Sequence, residues 1–418
     1  MKIFLGISSF QLLAMFRRGL FYTYLTIYLR HFLGLSVTAT TLFATLPMIL
    51  NVAAQRYVWG IFSDRYQKRR SLIIWGEILG GAGTIILWYA HRLASTKLLS
   101  GWVIIAGLCI IEIFWSMSNI GWSALISDLY QQQDRGRIMG KLESIGGMGR
   151  MAGVLAGGLF YDRMGTAFAG WGFYHGILFF ISAGAMFLSV LPMLMVPEGG
   201  IDRKNNGAAS DTGDSGYSPA IFMMFIAAMT LIHFGRNSVA VTMAQYLILD
   251  PGPHLSSLVL SHVVNLRSLG IVLAGLVTGI LLNMMEKRIL LAAGSFAAIV
   301  SLLILGIADS MAWICTSSFL MGVSEVFILA ASYELASSYI PAFKRARLFS
   351  IFNATLFLSW GTAGTLIAGP ITDFMIYLGK TQAHAYKISF LAASIITASG
   401  FGLLFLLFSM EKKNKVLF

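Results

Sequence analysis

Charge is what this sequence has least of. Asp, Glu, Lys and Arg make up 11% of its 418 residues, against about 25% in a soluble domain. Acids are the scarcer kind, with Asp+Glu 18 against Lys+Arg 30 and a net charge of +12. Cysteine is nearly absent: Cys109 and Cys315 both fall inside apolar runs, which excludes a disulfide framework or a cysteine metal site. There is no P-loop, so ATP hydrolysis by this chain has no support. The seven histidines show no i, i+4 pair of the kind that binds a metal. What fills the chain is apolar: 57% of residues, with a mean hydropathy of +0.76. Too much must be buried for a disordered chain or an ordinary soluble one. The basic residues are scattered between long apolar stretches, so their expected partner is a lipid bilayer and not nucleic acid.

A spanning helix needs roughly 20 apolar residues. The runs predict spans near Ile3–Leu29, Ala39–Trp59, Ser71–Ala90, Leu99–Ile126, Ile138–Tyr161 and Phe168–Val196, then near Ala220–Leu249, Ser256–Leu282, Ile289–Ile307, Met311–Tyr339, Leu348–Leu378 and Ala383–Met410. The expected fold class is an all-α membrane protein with twelve transmembrane helices in two pseudo-symmetric six-helix halves. Arg17 and Arg18 interrupt the first run, which then continues, so it reads as a span and not as a cleavable signal. The one long polar stretch, rich in Gly, Asn, Asp and Ser, reads as a linker. It gives an N-terminal half at 1–196, a cytoplasmic linker at 197–218 and a C-terminal half at 219–418.

Lysine and arginine set the expected orientation. With both termini inside, the inner segments hold Lys2, Arg65, Lys68, Arg69, Arg70, Arg135, Arg137, Lys141, Arg203, Lys204, Lys287, Arg288, Lys344, Arg345, Arg347, Lys412, Lys413 and Lys415. The outer loops hold only Arg30, Arg92, Lys97, Arg163, Lys380 and Lys387. This positive-inside bias places both termini in the cytoplasm. The short loops suit a prokaryotic inner membrane.

The halves echo each other. Gly60-Ile61-Phe62-Ser63-Asp64 with Lys68-Arg69 matches Gly279-Ile280-Leu281-Leu282-Asn283 with Lys287-Arg288, and Arg135-Gly136-Arg137 matches Arg345-Ala346-Arg347. Gly158-Leu159-Phe160-Tyr161-Asp162 matches Gly369-Pro370-Ile371-Thr372-Asp373, and Phe16-Arg17-Arg18-Gly19 matches Phe234-Gly235-Arg236-Asn237. Parallel halves with a midplane site between them are a transporter architecture.

Gly60-x-x-x-Asp64-Arg65-x-x-Lys68-Arg69 resembles the loop after span two in the major facilitator superfamily, with Gln67 where that family usually has Gly. The run Asp128…Asp134-Arg135-Gly136-Arg137…Gly140 is similar to its loop after span four. Gly149-x-x-x-Gly153-Val154-x-x-Gly157-Gly158 is similar to its span-five antiporter motif, with Val154 in place of Pro. The resemblance implies a gate made of Gly60, Asp64, Arg65, Arg69 and Asp128, in which Asp64 faces helix eleven and the basic residues pair with Asp128. It also implies that spans one, four, seven and ten line a cavity. Without the resemblance, Arg65, Lys68, Arg69 and Arg70 are read as topology signals alone.

Six basic residues fall inside spans: Arg17, Arg18, Arg56, Arg150, Arg236 and Arg267. A central Arg costs about 2.5–3.5 kcal/mol on insertion scales, so such residues face water or a partner. Arg18 and Arg236 are repeat-equivalent, and two guanidinium forks suit a carboxylate or phosphate. Gln11, Arg18, Tyr22 and Thr26 recur on one face of span one. Thr230, His233 and Asn237 form a stripe beside Arg236. The expected substrate contacts are therefore Arg18, Arg236, Tyr22, Gln11 and Asn237, with Arg150 and Arg267 behind them. The plain alternative is structural ion pairs between helices, and snorkelling accounts for Arg56. Glu112 and Glu325 stand near the centres of spans four and ten. A carboxyl held away from water gains by taking a proton unless a cation is near, so these two, with Asp373 behind them, are candidates for proton coupling. The alternative for both is a permanent Glu–Arg pair.

These features predict a secondary transporter, monomeric and without cofactor, that moves a small organic anion with protons. A proton-driven exporter of drug-like compounds is the second reading, set back by the missing Pro and the arginines. A membrane receptor or scaffold without transport is a third. No nucleophile–base or metal set points to an enzyme.

Overall fold

A chain this apolar in a lipid phase must satisfy its backbone groups internally, and a helix does that within one segment. The computed structural model describes residues 2–130, 132–199, 218–340 and 345–416, with side chains described there except at 64, 127, 132–137, 140, 345–347, 350 and 412–416. Among the described residues there are helices and no strands. The first half contains α1 (Lys2–Ile27), α2 (Val37–Ala54), α3 (Gly60–Tyr66), α4 (Arg69–Arg92), α5 (Lys97–Leu129), α6 (Gln132–Tyr161), α7 (Trp171–Tyr174) and α8 (Ile177–Met193). The second contains α9 (Pro219–Ser238), α10 (Thr242–Leu247), α11 (Ser257–Met284), α12 (Lys287–Ile307), α13 (Met311–Tyr339), α14 (Arg345–Ala363), α15 (Gly369–Tyr377) and α16 (Gln382–Val416). Most of the proposed linker, 200–217, lies outside the described residues.

Nine helical stretches among the described residues are long and apolar enough to cross a membrane. The predicted first, fifth and sixth spans, on α1, α6 and α8, are not among the nine. The first carries Arg17 and Arg18, the fifth is charged at its start, and the sixth is 17 residues long. That sixth span begins later than the sequence predicts, because Gly170 and Gly176 take left-handed φ of 97° and 86° and break Phe168–Val196 into α7 and α8. The seventh likewise breaks after Ser238, leaving the short α10.

Helix starts follow ordinary capping chemistry. Ser36 and Thr96 accept from the backbone of Ala39 and Leu99, each at 3.1 Å, and Ser218 precedes Pro219 at the first position of α9. Among the described residues, helices change pitch through π turns at Tyr28–Phe32, Gln55–Trp59 and Gly364–Ala368.

The chain forms two units, Met1–Asn206 with Leu255–His262, and Gly207–His254 with Val263–Phe418. In the first, α1 packs on α6 and α8, α4 on α5 and α8, and α2 on α5. Ile7, Phe10, Ile73, Leu125, Leu142 and Met193 are buried together there. Gly149 and Gly153 bring α6 hard against α1: a Cβ at either would sit 2.2 Å from the Leu12 carbonyl or 1.9 Å from that of Phe16. In the second unit α9 packs on α14 and α16, and α12 on α13 and α16, around Phe222, Phe225, Leu291, Ile328 and Leu335.

Candidate functional site

In the first unit the intramembrane charges gather where α1, α2, α4 and α5 meet. Arg17 and Arg18 leave the middle of α1. Arg17 is buried, its NH1 3.7 Å from Met186 Sδ, and its Nε and NH2 have no hydrogen-bond partner among the described residues. Arg18 is half-buried. The guanidinium carbons lie 4.0 Å (Arg17) and 4.6 Å (Arg18) from the centroid of the Trp115 indole, well inside cation–π range. Glu112, one turn before Trp115 on α5, accepts from Asn51 Nδ2 at 2.7 Å, and Gln55 in turn donates to Asn51 Oδ1. Both guanidiniums act on Glu112 through space, yet neither makes an ion pair with it. Glu77 is 1% exposed and accepts from Trp115 Nε1 at 2.9 Å and Ser118 Oγ at 2.8 Å. Gly76 permits this, since a Cβ there would lie 2.8 Å from the Ser118 nitrogen. Tyr22 stacks on Phe43, ring centroids 6.1 Å apart. Gln11 is buried with its amide against Gly146, and Thr26 is buried. Arg150 is half-buried on α6, its carbonyl against Gly19.

The second unit holds its charges differently. Glu325 on α13 is shared: its Oε2 lies 2.7 Å from Arg267 NH2, 3.2 Å from Arg267 Nε and 3.2 Å from Arg236 NH1. Glycine again sets the approach. A Cβ at Gly322 would fall 2.1 Å from the Arg267 carbonyl, and one at Gly270 would fall 2.4 Å from that of Phe319. Arg267 is itself at this contact of α11 and α13, and Glu325 stands one turn after Gly322. Asn237 donates to Ser359 Oγ at 2.8 Å, tying α9 to α14. His233, one turn before Arg236, is 1% exposed, and neither ring nitrogen has a hydrogen-bond partner among the described residues. Asp373 is half-buried on α15. The repeat-equivalent pairs thus differ: Arg236 contacts Glu325, whereas Arg18 and Glu112 stay apart.

At the α3–α4 turn, buried Arg69 places Nε 3.2 Å from Asp128 Oδ2 and NH2 3.2 Å from Gln67 Oε1, and NH1 donates to Ser63 Oγ. Gln67 adopts the left-handed conformation itself, at φ 54°. Gly60 packs against the Gln55 carbonyl, which a Cβ would approach to 2.6 Å. Arg65 is exposed over the Tyr66 ring, and the Asp64 side chain lies outside the described residues. Arg70 is more than a topology signal: it donates to the Val196 carbonyl at 3.0 Å and lies 3.3 Å from Glu198, whose carboxylate also accepts from the Ser71 backbone and hydroxyl.

Sequence reasoning did not single out Trp115 or Asn51. Their one sequence signal is spacing, since Trp115 stands one helical turn from Glu112 and Asn51 one turn from Gln55.

The profile of the Major Facilitator Superfamily matches residues 7–232. No curated protein matches the chain by sequence. Among solved structures, the nucleoside transporter NupG is similar at a TM-score of 0.69 and 16% identity, over 99% of this chain and 100% of that one. A bacterial homologue of the human lysosomal transporter Spinster, inward-facing and unoccupied, gives a TM-score of 0.68 at 14% identity over 97% and 96%. A POT family transporter in complex with a thioalcohol-conjugated peptide gives 0.67 at 14% identity over 97% and 96%. At such identities the likeness is one of fold.

Proposed function

Because the chain belongs to the Major Facilitator Superfamily, and is therefore a multi-pass membrane transporter and not an enzyme, we propose that it moves a small organic anion by alternating access, coupled to protons. The observation that carries this reading is Arg18. It stands mid-helix in the first unit and has no hydrogen bond or ion pair with any described residue. A guanidinium held there costs energy until an anion meets it, and its planar fork binds carboxylate or phosphate bidentately. Tyr22 and Gln11 share its helix. Arg236, Asn237, Arg267 and Arg150 are the proposed further contacts.

Proton coupling rests on the carboxylates. Glu325 holds two guanidiniums through one oxygen, so a proton on Glu325 would release Arg236 and Arg267 to an arriving anion. Glu112, hydrogen-bonded by Asn51 and by no other described residue, is the proposed partner acid in the first unit, with Asp373 a third candidate. The Arg69–Asp128 contact, with Gly60, Asp64 and Arg65, is the proposed gate. A prokaryotic inner membrane, cytoplasmic termini and a monomeric state complete the reading.

The test pairs binding with transport. Carboxylates and phosphates, and not cationic dyes, should raise the melting temperature of the purified protein. Arg18→Ala should weaken that binding about tenfold or more, the loss of one charge-assisted hydrogen-bonded contact. In proteoliposomes the same anion should accumulate when a pH gradient is imposed. Uptake indifferent to that gradient removes the proton coupling, and unchanged anion binding in Arg18→Ala removes the anion reading.

A further inference from the structure

Three charges of the first unit converge on one ring. Trp115 is 6% exposed, its N–H is bound to Glu77, and both Arg17 and Arg18 lie over its face. The two arginines are nevertheless in different states. Arg17 is 4% exposed and turned into the helix packing. Arg18 is only half-buried, lies on the Trp115 face, and has no hydrogen bond or ion pair to a described residue on its N–H edge. In a medium of low dielectric an unrestrained guanidinium beside Glu112 would close on that carboxylate. Something must hold it off, and the ring is the group in contact with it.

We infer that Trp115 is the positioning residue of this site: anchored by Glu77 and lying under Arg17 and Arg18, it keeps Arg18 apart from Glu112 with its hydrogen-bonding edge open to an anion. The side chain must be Trp because two properties are used at once. The face attracts the cations, and the N–H ties the ring's orientation to α4. A carboxylate on the indole N–H also shifts electron density onto the ring, which strengthens its hold on a guanidinium. Glu77 therefore acts on Arg18 through the ring and needs no contact with it.

The use assigned to the open edge rests on the proposed function above, but the openness itself can be read without a substrate. Phenylglyoxal modifies accessible guanidinium groups, and peptide mass spectrometry gives the rate at Arg18, with exposed Arg163 as internal reference in the detergent-solubilised full chain. Arg18 should react in the wild type. In Trp115→Leu it should react at least about fivefold more slowly as it closes on Glu112, and adding Glu112→Gln should restore the rate. Trp115→Phe keeps a face and loses the N–H, whereas Glu77→Gln keeps the acceptor and loses the charge. Each should slow the reaction about twofold, and the double variant no further, because both cut the same link. An unreactive Arg18 in the wild type, an unchanged or faster rate in Trp115→Leu, or additive effects of Trp115→Phe and Glu77→Gln would overturn the inference. Should Trp115→Leu fail to fold, the last comparison decides alone. If the labelling behaves as stated while Arg18→Ala leaves benzoate and inorganic phosphate binding intact, positioning stands and the anion reading falls.

Discussion

Gln67 occupies backbone that glycine adopts freely, at φ 54° and ψ 29°. A left-handed residue with a Cβ costs about 1–2 kcal/mol. Its side chain offsets part of that by accepting from Arg69 NH2 at 3.2 Å, a bond to a charged group. Gln67→Gly removes the strain and the bond together, so its stability should stay within about 1 kcal/mol of wild type. Gln67→Ala keeps the strain and loses the bond, and should be destabilised by about 1 kcal/mol or more. Melting curves in detergent rank the three, and an alanine variant as stable as wild type would show that Arg69 does not rely on this acceptor. The same logic explains which site residues were legible. Arg18, Arg236, Glu112 and Glu325 stand out because a charge within an apolar run is conspicuous. Trp115 does not, because one aromatic among many carries no mark, and its partner Glu77 stands 38 residues back on another helix. Which faces of two helices meet is a rotation that apolar runs leave unspecified.

Helix contacts here are set by absent side chains. Gly153 lets α6 close on α1 until a Cβ would lie 1.9 Å from the Phe16 carbonyl and 2.9 Å from the Leu20 nitrogen. Those are backbone atoms and have no rotamer to give. Gly153→Ala must separate the helices, and overpacking of this kind costs about 1–3 kcal/mol. Gly184 on α8 meets nothing within 4 Å, so Gly184→Ala should be neutral or stabilising by up to about 1 kcal/mol. A thermal melt of both variants tests the contrast, and equal effects would mean that the α1–α6 contact is loose. The glycine run in span five is visible as a close-approach signal, though its partner helix is not. Gly270 and Gly322 are less visible, because each is single and their meaning appears only when α11 and α13 face each other. The π turns left no sequence trace either, since they arise where one residue is accommodated within a helix that otherwise continues.

At the scale of the whole chain, the apolar runs and the resemblance of the loop motifs were enough to place the protein in its fold. Each helix satisfies its own backbone, so span positions depend on local sequence more than on long-range pairing. Orientation is a separate matter, carried by the lysines and arginines that the potential and the insertion machinery read. Lys68 lies in the basic α3–α4 turn and is exposed, whereas Ser95, just before α5, is exposed in a loop the charge bias places outside. Cys109 and Cys315 are half-buried within helices and can be replaced by serine to clear the background. In intact cells a membrane-impermeant maleimide should then label Ser95→Cys at once and Lys68→Cys only after permeabilisation. Labelling in the opposite order would invert the topology and put the Arg69–Asp128 contact on the outer face. Reaction at both sites in intact cells would show that α4, which runs between them, does not span. The outcome depends on the basic residues of the loops and not on the charges within the helices, so it tests the frame in which Arg18 and Glu325 are placed independently of what they bind.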